Sequence, residues 1–283
     1  ITVKMGTDKD ANIIAAETSI KLEAGGFPGA AVGAAVQCIF APYDIPNTRI
    51  DGYDIVVNKP KSAAYRAPGS PQAAFAAETV SDELARIHNM DPIDFRLQNA
   101  SKEDTRRADG VVFPKIGNVE VLEAAKASDH WKSDLGTPPK GRVRGRGVAS
   151  GYWFNVGLKS AVSLTVNNDG SVALVEGSTD IGGTRTSISM QAAEVLGIGV
   201  ENFIPSVGDT DTAGYADVTG GSRTTYATGF AAVKAAENLI EVLKERCAII
   251  WSLDKNDIDF RDGTFYASKD PELKFSFKDL ASN

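Results

Sequence analysis

Residues 182–187 read GGTRTS, and residues 220–225 repeat the phrase as GGSRTT. Each phrase closes a polar loop and precedes a segment whose apolar residues recur at helical spacing. After the first phrase Gly197 is placed to end the helix, and one helical side carries Ile188, Ala192, Val195 and Leu196. After the second phrase, the longest predicted helix runs from about residue 227 to residue 251. The two phrases therefore mark two junctions at which a helix begins.

Alternating apolar and polar residues predict strands around both phrases. These strands fall within residues 145–156, 160–178, 202–211 and 257–268. Asn168-Asp169-Gly170 and Asp262-Gly263 are good turn sequences, so the second and fourth segments are predicted to be hairpins.

The first hundred residues follow a different order. Two strands joined at Asp8-Lys9-Asp10 lead through a glycine-rich connection to an extended stretch, residues 51–66. A helix is expected next, with Glu78 off an apolar face made of Phe75, Val80, Leu84 and Ile87. Asp91 is placed to cap a second short helix that begins at Pro92.

This succession of strands and helices favours an α+β fold built from two-layer α/β sandwich subdomains over a doubly wound sheet. Residues 101–145 are polar and contain several prolines, so a boundary is expected near residues 135–145. The predicted domains are therefore residues 1–140 and residues 141–283.

Composition excludes several function classes. The 283 residues carry a net charge of −7 and the pI is about 5.0, which argues against binding nucleic acid or an anionic membrane surface. No apolar stretch reaches membrane-spanning length. Cys38 and Cys247 stand apart and are expected to be small buried residues, as in a reducing compartment. A cytoplasmic location is the matching expectation.

Common catalytic signatures are absent from the sequence. With only two histidines, a histidine-rich metal site or a Ser-His-Asp triad is not expected, and His88 is interpreted as a helix-end residue. No phosphate-binding GxxxxGK[ST] loop occurs. Residues 209–220 begin like a calcium loop but lack its later ligands. Asp209 and Asp211 leave open a magnesium-dependent nucleotide-sugar enzyme as a minor alternative.

The glycine phrases have a specific physical use. Paired glycines let the backbone approach a ligand, the next Thr or Ser hydroxyl is expected to cap the helix, and the helix start favours an anion. Arg185 and Arg223 are candidates to add positive charge. Residues 66–72, RAPGSPQ, offer the same ingredients before a helix. The three elements together would suit one large, multiply anionic cofactor. Taken singly, each is also an ordinary connection between a strand and a helix.

Three segments in order give the chain a family resemblance. Residues 64–100, AYRAPGSPQAAFAAETVSDELARIHNMDPIDFRLQNA, resemble the cofactor loop and following helix of molybdenum hydroxylases of the xanthine dehydrogenase and aldehyde oxidoreductase type. Residues 178–198 are similar to the MGQG-containing loop of the same subunit, and residues 208–236 to its third cofactor segment. The resemblance spans nearly the whole chain, which is expected to be a central fragment of the molybdopterin-binding subunit.

The resemblance implies a cofactor and a set of residues. The cofactor is molybdopterin with molybdenum, in the cytosine dinucleotide form usual in bacteria. The implied cofactor-binding residues are Arg66, Gly69, Gly182, Gly183, Thr184, Gly221, Ser222 and Thr224. No catalytic residue is expected in this chain, because the general-base glutamate of the family lies near the C-terminus of the subunit.

The same resemblance implies oxidative hydroxylation of an aldehyde or an N-heterocycle, with water as the oxygen source. The expected partners are a 2Fe-2S protein or domain, an FAD protein or domain and a small-molecule substrate. The chain departs from the family at Gly183, where many members have glutamine, and at Pro68 and Ala34, where purine-oxidising relatives have an aromatic residue and an arginine. Xanthine is therefore a poor candidate substrate. A structural or assembly module without bound cofactor is the non-enzymatic alternative.

Overall fold

The computed structural model describes residues 1–283, and the chain divides into two compact units, Ile1–Trp153 and Phe154–Asn283. Both units combine helices with small sheets, which confirms the α+β class. The units divide beyond the proline-bearing stretch at residues 135–145, and the domain bounds 1–140 and 141–283 stay a prediction. No helix combines the length and the apolar content needed to cross a bilayer.

The first unit contains a three-stranded sheet of β1 (Thr2–Thr7), β2 (Ile13–Gly25) and β3 (Thr48–Val56), in that order. The β1 and β2 strands pair antiparallel across the predicted turn at residues 8–10. The β2 and β3 strands are parallel, so the chain must cross over between them. That crossover contains α1 (Val32–Cys38), which was not predicted, although Val32, Ala35 and Val36 recur at helical spacing and pack into the core.

Four further helices complete the first unit: α2 (Ser70–Ile87), α3 (Pro92–Gln98), α4 (Asn118–Ala127) and α5 (Asp129–Lys132). The predicted cap of α3 is confirmed, since the Asp91 carboxylate accepts hydrogen bonds from the amides of Ile93 and Asp94. His88 lies at the C-terminal end of α2, as expected.

The predicted apolar face of α2 is wrong for Phe75 and Ile87, although Leu84 packs against the buried core. Phe75 is 80% exposed and Ile87 is 71% exposed, whereas the buried residues are Ser70, Ala73, Ala77, Glu78, Ser81 and Ala85. This helix packs against α1 and β1, and its buried side is made mainly of small residues. A search for large apolar side chains therefore selects the wrong side of the helix.

Glu78 is buried because it has several partners. Its carboxylate accepts the Tyr43 hydroxyl at 2.5 Å, the Arg96 Nε at 2.8 Å and the Ser150 amide at 2.6 Å. Arg96 is fully buried and also pairs with Asp82 at 2.8 Å. Burial is the main cause that raises the pKa of Tyr43, which keeps its hydroxyl protonated as a donor.

The second unit repeats the strand plan with β4 (Val162–Val166), β5 (Val172–Glu176) and β6 (Phe203–Val207). The first two strands pair antiparallel, and β5 and β6 are parallel. The crossover between the parallel strands contains α6 (Thr184–Leu196), and β6 is followed by the longest helix, α7 (Gly229–Trp251). These elements confirm the predicted strands, both helices and the helix stop at Gly197.

An antiparallel sheet of β7 (Ile258–Arg261), β8 (Thr264–Ala267) and β9 (Asp270–Ser276) ends the second unit together with α8 (Phe277–Ala281). The core between α6, α7 and the two sheets contains Leu174, Ile188, Leu196, Cys247 and Phe265, all of them fully buried. Cys38 and Cys247 are buried and unpaired, as predicted.

Residues 145–156 do not form the predicted strand. No neighbouring strand pairs with them. Several of their backbone groups instead form isolated hydrogen bonds with residues elsewhere in the chain. The Ser150 amide donates to Glu78, the Tyr152 carbonyl accepts the Ser70 hydroxyl, and the Val156 amide donates to Gly221. Apolar alternation alone does not make a strand when the segment pairs with no other strand.

Candidate functional site

The first glycine corner, residues 179–184, joins the end of β5 to the start of α6. Gly182 and Gly183 have φ angles of +63° and +82°, a left-handed region that glycine enters without steric cost. Both glycines are exposed, and a β-carbon added at either position would meet no atom within 4 Å. The backbone at this corner therefore faces open space.

The amides of Gly182, Gly183 and Thr184 donate to no group of the protein. The predicted hydroxyl cap at Thr184 is wrong, because its Oγ1 accepts the Ile181 amide at 3.1 Å and lies 3.2 Å from Asp180. The Asp180 carboxylate instead accepts the Arg185 amide at 3.1 Å. The three unbonded N–H groups remain available to a ligand.

The second glycine corner, residues 219–224, precedes α7. Gly221 and Ser222 have φ angles of +60° and +56°, and such a conformation is strained for serine. A β-carbon at Gly221 would lie 2.4 Å from the Val156 side chain, so the site requires glycine. The Asn155 side chain donates to the Ser222 carbonyl at 3.1 Å and helps to hold this conformation.

The helix that follows the second corner begins unusually. Residues 224–228 form a π-helical turn before α7, and no side chain caps it, contrary to the expected hydroxyl cap. The amides of Gly221, Ser222 and Thr224 donate to no group of the protein, and the buried Thr224 Oγ1 has no partner. Single π-helical turns are rare and are found often at functional sites.

The two glycine corners contact each other. Thr179 Oγ1 of the first donates to Thr219 Oγ1 of the second at 3.2 Å. Farther along, Gln191 of α6 donates through Nε2 to the Thr225 carbonyl at 3.1 Å. Two sets of unbonded amides, distant along the chain, are thereby brought together within one unit.

Arg185 and Arg223, the arginines of the two repeated segments, have different environments. The Arg185 side chain is half exposed and pairs with Asp180 at 3.1 Å. The Arg185 backbone amide is the main cause that lowers the pKa of Asp180, and the Arg185 side chain acts in the same direction. Arg223, which was a candidate to add positive charge to its glycine corner, is fully buried and is bonded to oxygens of the protein.

Glu176 ends β5 directly before the first corner and is also fully buried. Its Oε2 accepts the Ser178 amide at 2.5 Å, and its Oε1 has no partner. Burial raises the pKa of Glu176, although the Ser178 hydrogen bonds and the charge of Arg223 oppose the shift. The alternation of VALVE placed Glu176 on the inner side with Val172 and Leu174, so the sequence contained a signal for this buried acid.

The third predicted element lies in the first unit. Arg66 and Ala67 have φ angles of +36° and +52°, and the exposed Arg66 guanidinium has no hydrogen-bond partner. Gly69 has a φ of +89°, and its amide is already bonded to Gln72 Oε1 at 3.1 Å. A β-carbon at Gly69 would lie 2.4 Å from the Ala31 carbonyl oxygen, so this glycine is needed for close packing.

The donor groups of the site suit an anion. The structure holds no group of three or more His, Cys, Asp or Glu side chains that could bind a metal ion directly. Asp209 accepts the Asp211 amide at 3.0 Å and the Thr212 hydroxyl at 2.7 Å, so it closes its own turn. The glycine corners instead present unbonded N–H groups, which fit the phosphate and polar groups of a bound pterin.

The comparisons with known proteins agree with this chemistry. Residues 1–100 and residues 121–283 each match the molybdopterin cofactor-binding domain. The aldehyde oxidoreductase molybdenum-binding subunit PaoC of Escherichia coli O157:H7 is 30% identical over 275 residues, which are 92% of this chain and 35% of that protein. The xanthine dehydrogenase molybdenum-binding subunit of the same organism is 31% identical over 236 residues, covering 79% of this chain and 31% of that protein.

Solved structures show the same fold. Quinoline 2-oxidoreductase from Pseudomonas putida 86 superposes with a TM-score of 0.82 at 19% identity, over 99% of this chain and 39% of that one. The aldehyde oxidoreductase from Desulfovibrio desulfuricans ATCC 27774 gives a TM-score of 0.69 at 28% identity, over 85% of this chain and 28% of that one. The chain thus spans about a third of the length of the curated relatives it matches.

Proposed function

Because the chain belongs to the molybdopterin cofactor-binding domain family, we propose that it holds molybdopterin within a molybdenum hydroxylase. The complete enzyme would oxidatively hydroxylate an aldehyde or an N-heterocyclic substrate, with water as the source of oxygen. The bound cofactor supplies the metal chemistry and accepts the electrons of the substrate. The residues of this chain bind and orient the cofactor.

The contact between the two glycine corners is the observation that carries this proposal. Six backbone amides without a protein acceptor are divided between them, at Gly182, Gly183, Thr184, Gly221, Ser222 and Thr224. The Thr179–Thr219 hydrogen bond joins the loops that bear these amides. Unbonded amides at a helix start favour anionic groups, since no group of the protein uses these donors.

Each predicted cofactor residue then has a defined contribution. Thr184 contributes its amide, because its hydroxyl is already bonded to Ile181 and Asp180. Ser222 offers an exposed hydroxyl, and Thr224 offers the buried Oγ1 that has no partner in the protein. Arg66 and Gly69 complete the proposed set: Arg66 contributes an unpaired guanidinium, whereas Gly69 fixes the backbone shape of its loop.

Gly183 stands where many family members have glutamine, so the contact of that side chain with the cofactor must come from the backbone or be lost; we propose that the backbone supplies it. The open space beside Gly183 supports this role, because no side chain stands between its amide and a ligand. We also propose the cytosine dinucleotide form of the cofactor, since two neighbouring sets of amides suit more than one phosphate.

The proposed partners are a 2Fe-2S protein or domain and an FAD protein or domain, which would carry electrons away from the metal. A cytoplasmic location is consistent with two buried cysteines that form no disulfide. No residue of this chain is assigned as general base. The substrate is a small aldehyde or heterocycle.

Purification of the complete subunit from a host that makes the cofactor tests this function. Molybdenum is measured by mass spectrometry, and the pterin is released, oxidised and quantified by fluorescence. Near-stoichiometric amounts of both are expected. Repeated isolation of folded protein without either component would contradict the proposal and favour the structural or assembly module.

A further inference from the structure

Arg223 is a buried cation that makes no ion pair. All of its hydrogen bonds go to uncharged oxygens, namely the carbonyls of Lys159, Asp217 and Val218 and the hydroxyls of Ser160, Ser178 and Thr228. Burying a guanidinium is costly unless nearly all of its donors are satisfied. Six acceptors arranged around one side chain meet that requirement.

These acceptors come from separate parts of the second unit. Asp217 and Val218 lead into the second glycine corner, and Thr228 closes the π-helical turn after it. Ser178 belongs to the loop that leads into the first corner, and its hydroxyl accepts Arg223 Nη2 at 2.7 Å. Arg223 therefore belongs to one corner by sequence and bonds directly to the approach of the other.

Ser178 is held from its other side by Glu176. The Glu176 carboxylate accepts the Ser178 amide at 2.5 Å, while Arg223 donates to the Ser178 hydroxyl. Glu176 and Arg223 are both fully buried, so solvent does not screen the attraction between their opposite charges. Glu176 thus holds the backbone amide of Ser178, while Arg223 and Thr228 hold its hydroxyl.

From this arrangement we propose that Arg223 and Glu176 are positioning residues which, through Ser178, fix the two glycine corners relative to each other. The inference rests on the proposed function, because it assigns these residues a role in shaping the cofactor site. Neither side chain needs to touch the cofactor. Their role is to keep two sets of amides at the spacing that one ligand requires.

Arg185 provides a matched comparison. It occupies the same place in GGTRTS that Arg223 occupies in GGSRTT, yet it is half exposed and pairs only with Asp180 of its own corner. A lysine at position 185 still reaches Asp180 as a cation, whereas a lysine at position 223 lacks the planar group that serves six acceptors. Arginine-to-lysine substitutions at positions 185 and 223 keep the positive charge, so a difference between the two variants reports the positioning role of the Arg223 guanidinium.

Hydrogen exchange of the cofactor-free complete subunit measures the effect. The reporters in the first corner are the bonded amides of Ile181 and Arg185, and those near the second are Val156 and Arg223 itself. We expect Arg223→Lys to accelerate exchange about tenfold at both corners, since buried charged hydrogen bonds are lost. Arg185→Lys should leave the second corner within about twofold of the wild type.

Two further variants keep the inference testable if Arg223→Lys does not fold. Ser178→Ala removes only the shared hydroxyl and should accelerate exchange at both corners. Glu176→Gln retains an oxygen that can accept the Ser178 amide and should preserve more protection than Glu176→Leu. The inference is overturned if Arg223→Lys or Ser178→Ala changes the second corner alone, or if Glu176→Leu behaves as Glu176→Gln does.

Pterin content of the loaded subunit gives an independent measurement. Arg223→Lys should lower retained pterin about tenfold relative to Arg185→Lys, because the misplaced amides lose part of their contact with the ligand. A wild-type protein that never contains pterin would contradict the proposed function. The exchange measurements on cofactor-free protein would still decide whether Arg223 and Glu176 position the corners.

Discussion

Gly197 and Gly263 lie against each other so closely that neither position has room for a β-carbon. A β-carbon on Gly197 would lie 2.3 Å from the Gly263 amide nitrogen, and one on Gly263 would lie 2.5 Å from the Gly197 carbonyl oxygen. Gly197 ends α6, and Gly263 forms the turn between β7 and β8. This contact joins the helix behind the first glycine corner to the last sheet.

Gly197→Ala is expected to lower the free energy of unfolding of the chain by about 3 kcal/mol or more, because backbone overlap adds to left-handed strain. Gly208→Ala is the control. Gly208 has a φ of +75° but open surroundings, so it should lose only about 1 kcal/mol. Urea unfolding measures both variants, and equal losses would contradict the packing argument.

Gly183→Ala is expected to lower the pterin content of the complete subunit about tenfold, because a methyl group would stand beside amides that need an acceptor. The methyl group meets no protein atom, so the fold should lose only about 1 kcal/mol. The control is Gly141→Ala: Gly141 has the same left-handed backbone (φ +75°) and open surroundings but lies outside the proposed cofactor segments, so this variant should retain pterin. Fluorescence of the released pterin compares the two, and equal retention would remove Gly183 from the proposed site.

Glu78→Gln is expected to destabilise the chain by about 3 kcal/mol, because the buried Arg96 guanidinium loses its main counter-charge. The control is Lys126→Ala, which removes the half-exposed partner of Asp94 and should cost less than about 1 kcal/mol. Chemical unfolding measures the difference. A loss at Glu78 no greater than that at Lys126 would show that the buried network adds no stability.

Asp180 should make the first glycine corner sensitive to acid. The pKa of Asp180 is lower in the folded state than in the unfolded state, and the main cause is the hydrogen bond from the Arg185 backbone amide. The stabilisation of the folded state by the Asp180 carboxylate is therefore present above the unfolded pKa of about 4 and is lost as the pH falls through the folded pKa. Asp180→Asn should be less stable than wild type near neutral pH, and the difference should shrink below about pH 4. Unfolding at several pH values measures this difference, and a constant difference would contradict the assignment.

Neither cysteine should react in the folded protein. Burial raises the pKa of the Cys247 thiol to about 11 and also raises that of Cys38, so little thiolate forms near neutral pH. Alkylation with iodoacetamide followed by peptide mapping should modify both only after denaturant is added. Modification of Cys247 in the native state would show that α7 opens readily.

Local patterns predicted much of the fold. The hairpin turns at Asp169-Gly170 and Asp262-Gly263, the Asp91 cap and the stop at Gly197 depend on a few neighbouring residues, and the structure confirms each of them. The errors concern long-range packing. The burial of the small side of α2 and the lack of a strand at residues 145–156 depend on elements far along the chain, which apolar periodicity does not record.

The candidate site was predictable in composition but not in geometry. The glycine phrases identified the helix starts, and the structure places Thr179 beside Thr219. The hydroxyl caps were wrong because Asp180, outside the phrase, accepts the helix amide at the first corner. That all eight proposed residues serve a single cofactor stays a prediction.

The opposite burial of Arg185 and Arg223 has an evolutionary consequence. A surface arginine with one ionic partner tolerates many replacements, so descendants should drift freely at position 185. An arginine enclosed by six oxygens tolerates almost no replacement. Position 223 should therefore remain arginine while the neighbouring residues diverge. We therefore expect unequal selection on these two nearly identical segments, with position 185 changing among homologues before position 223 does.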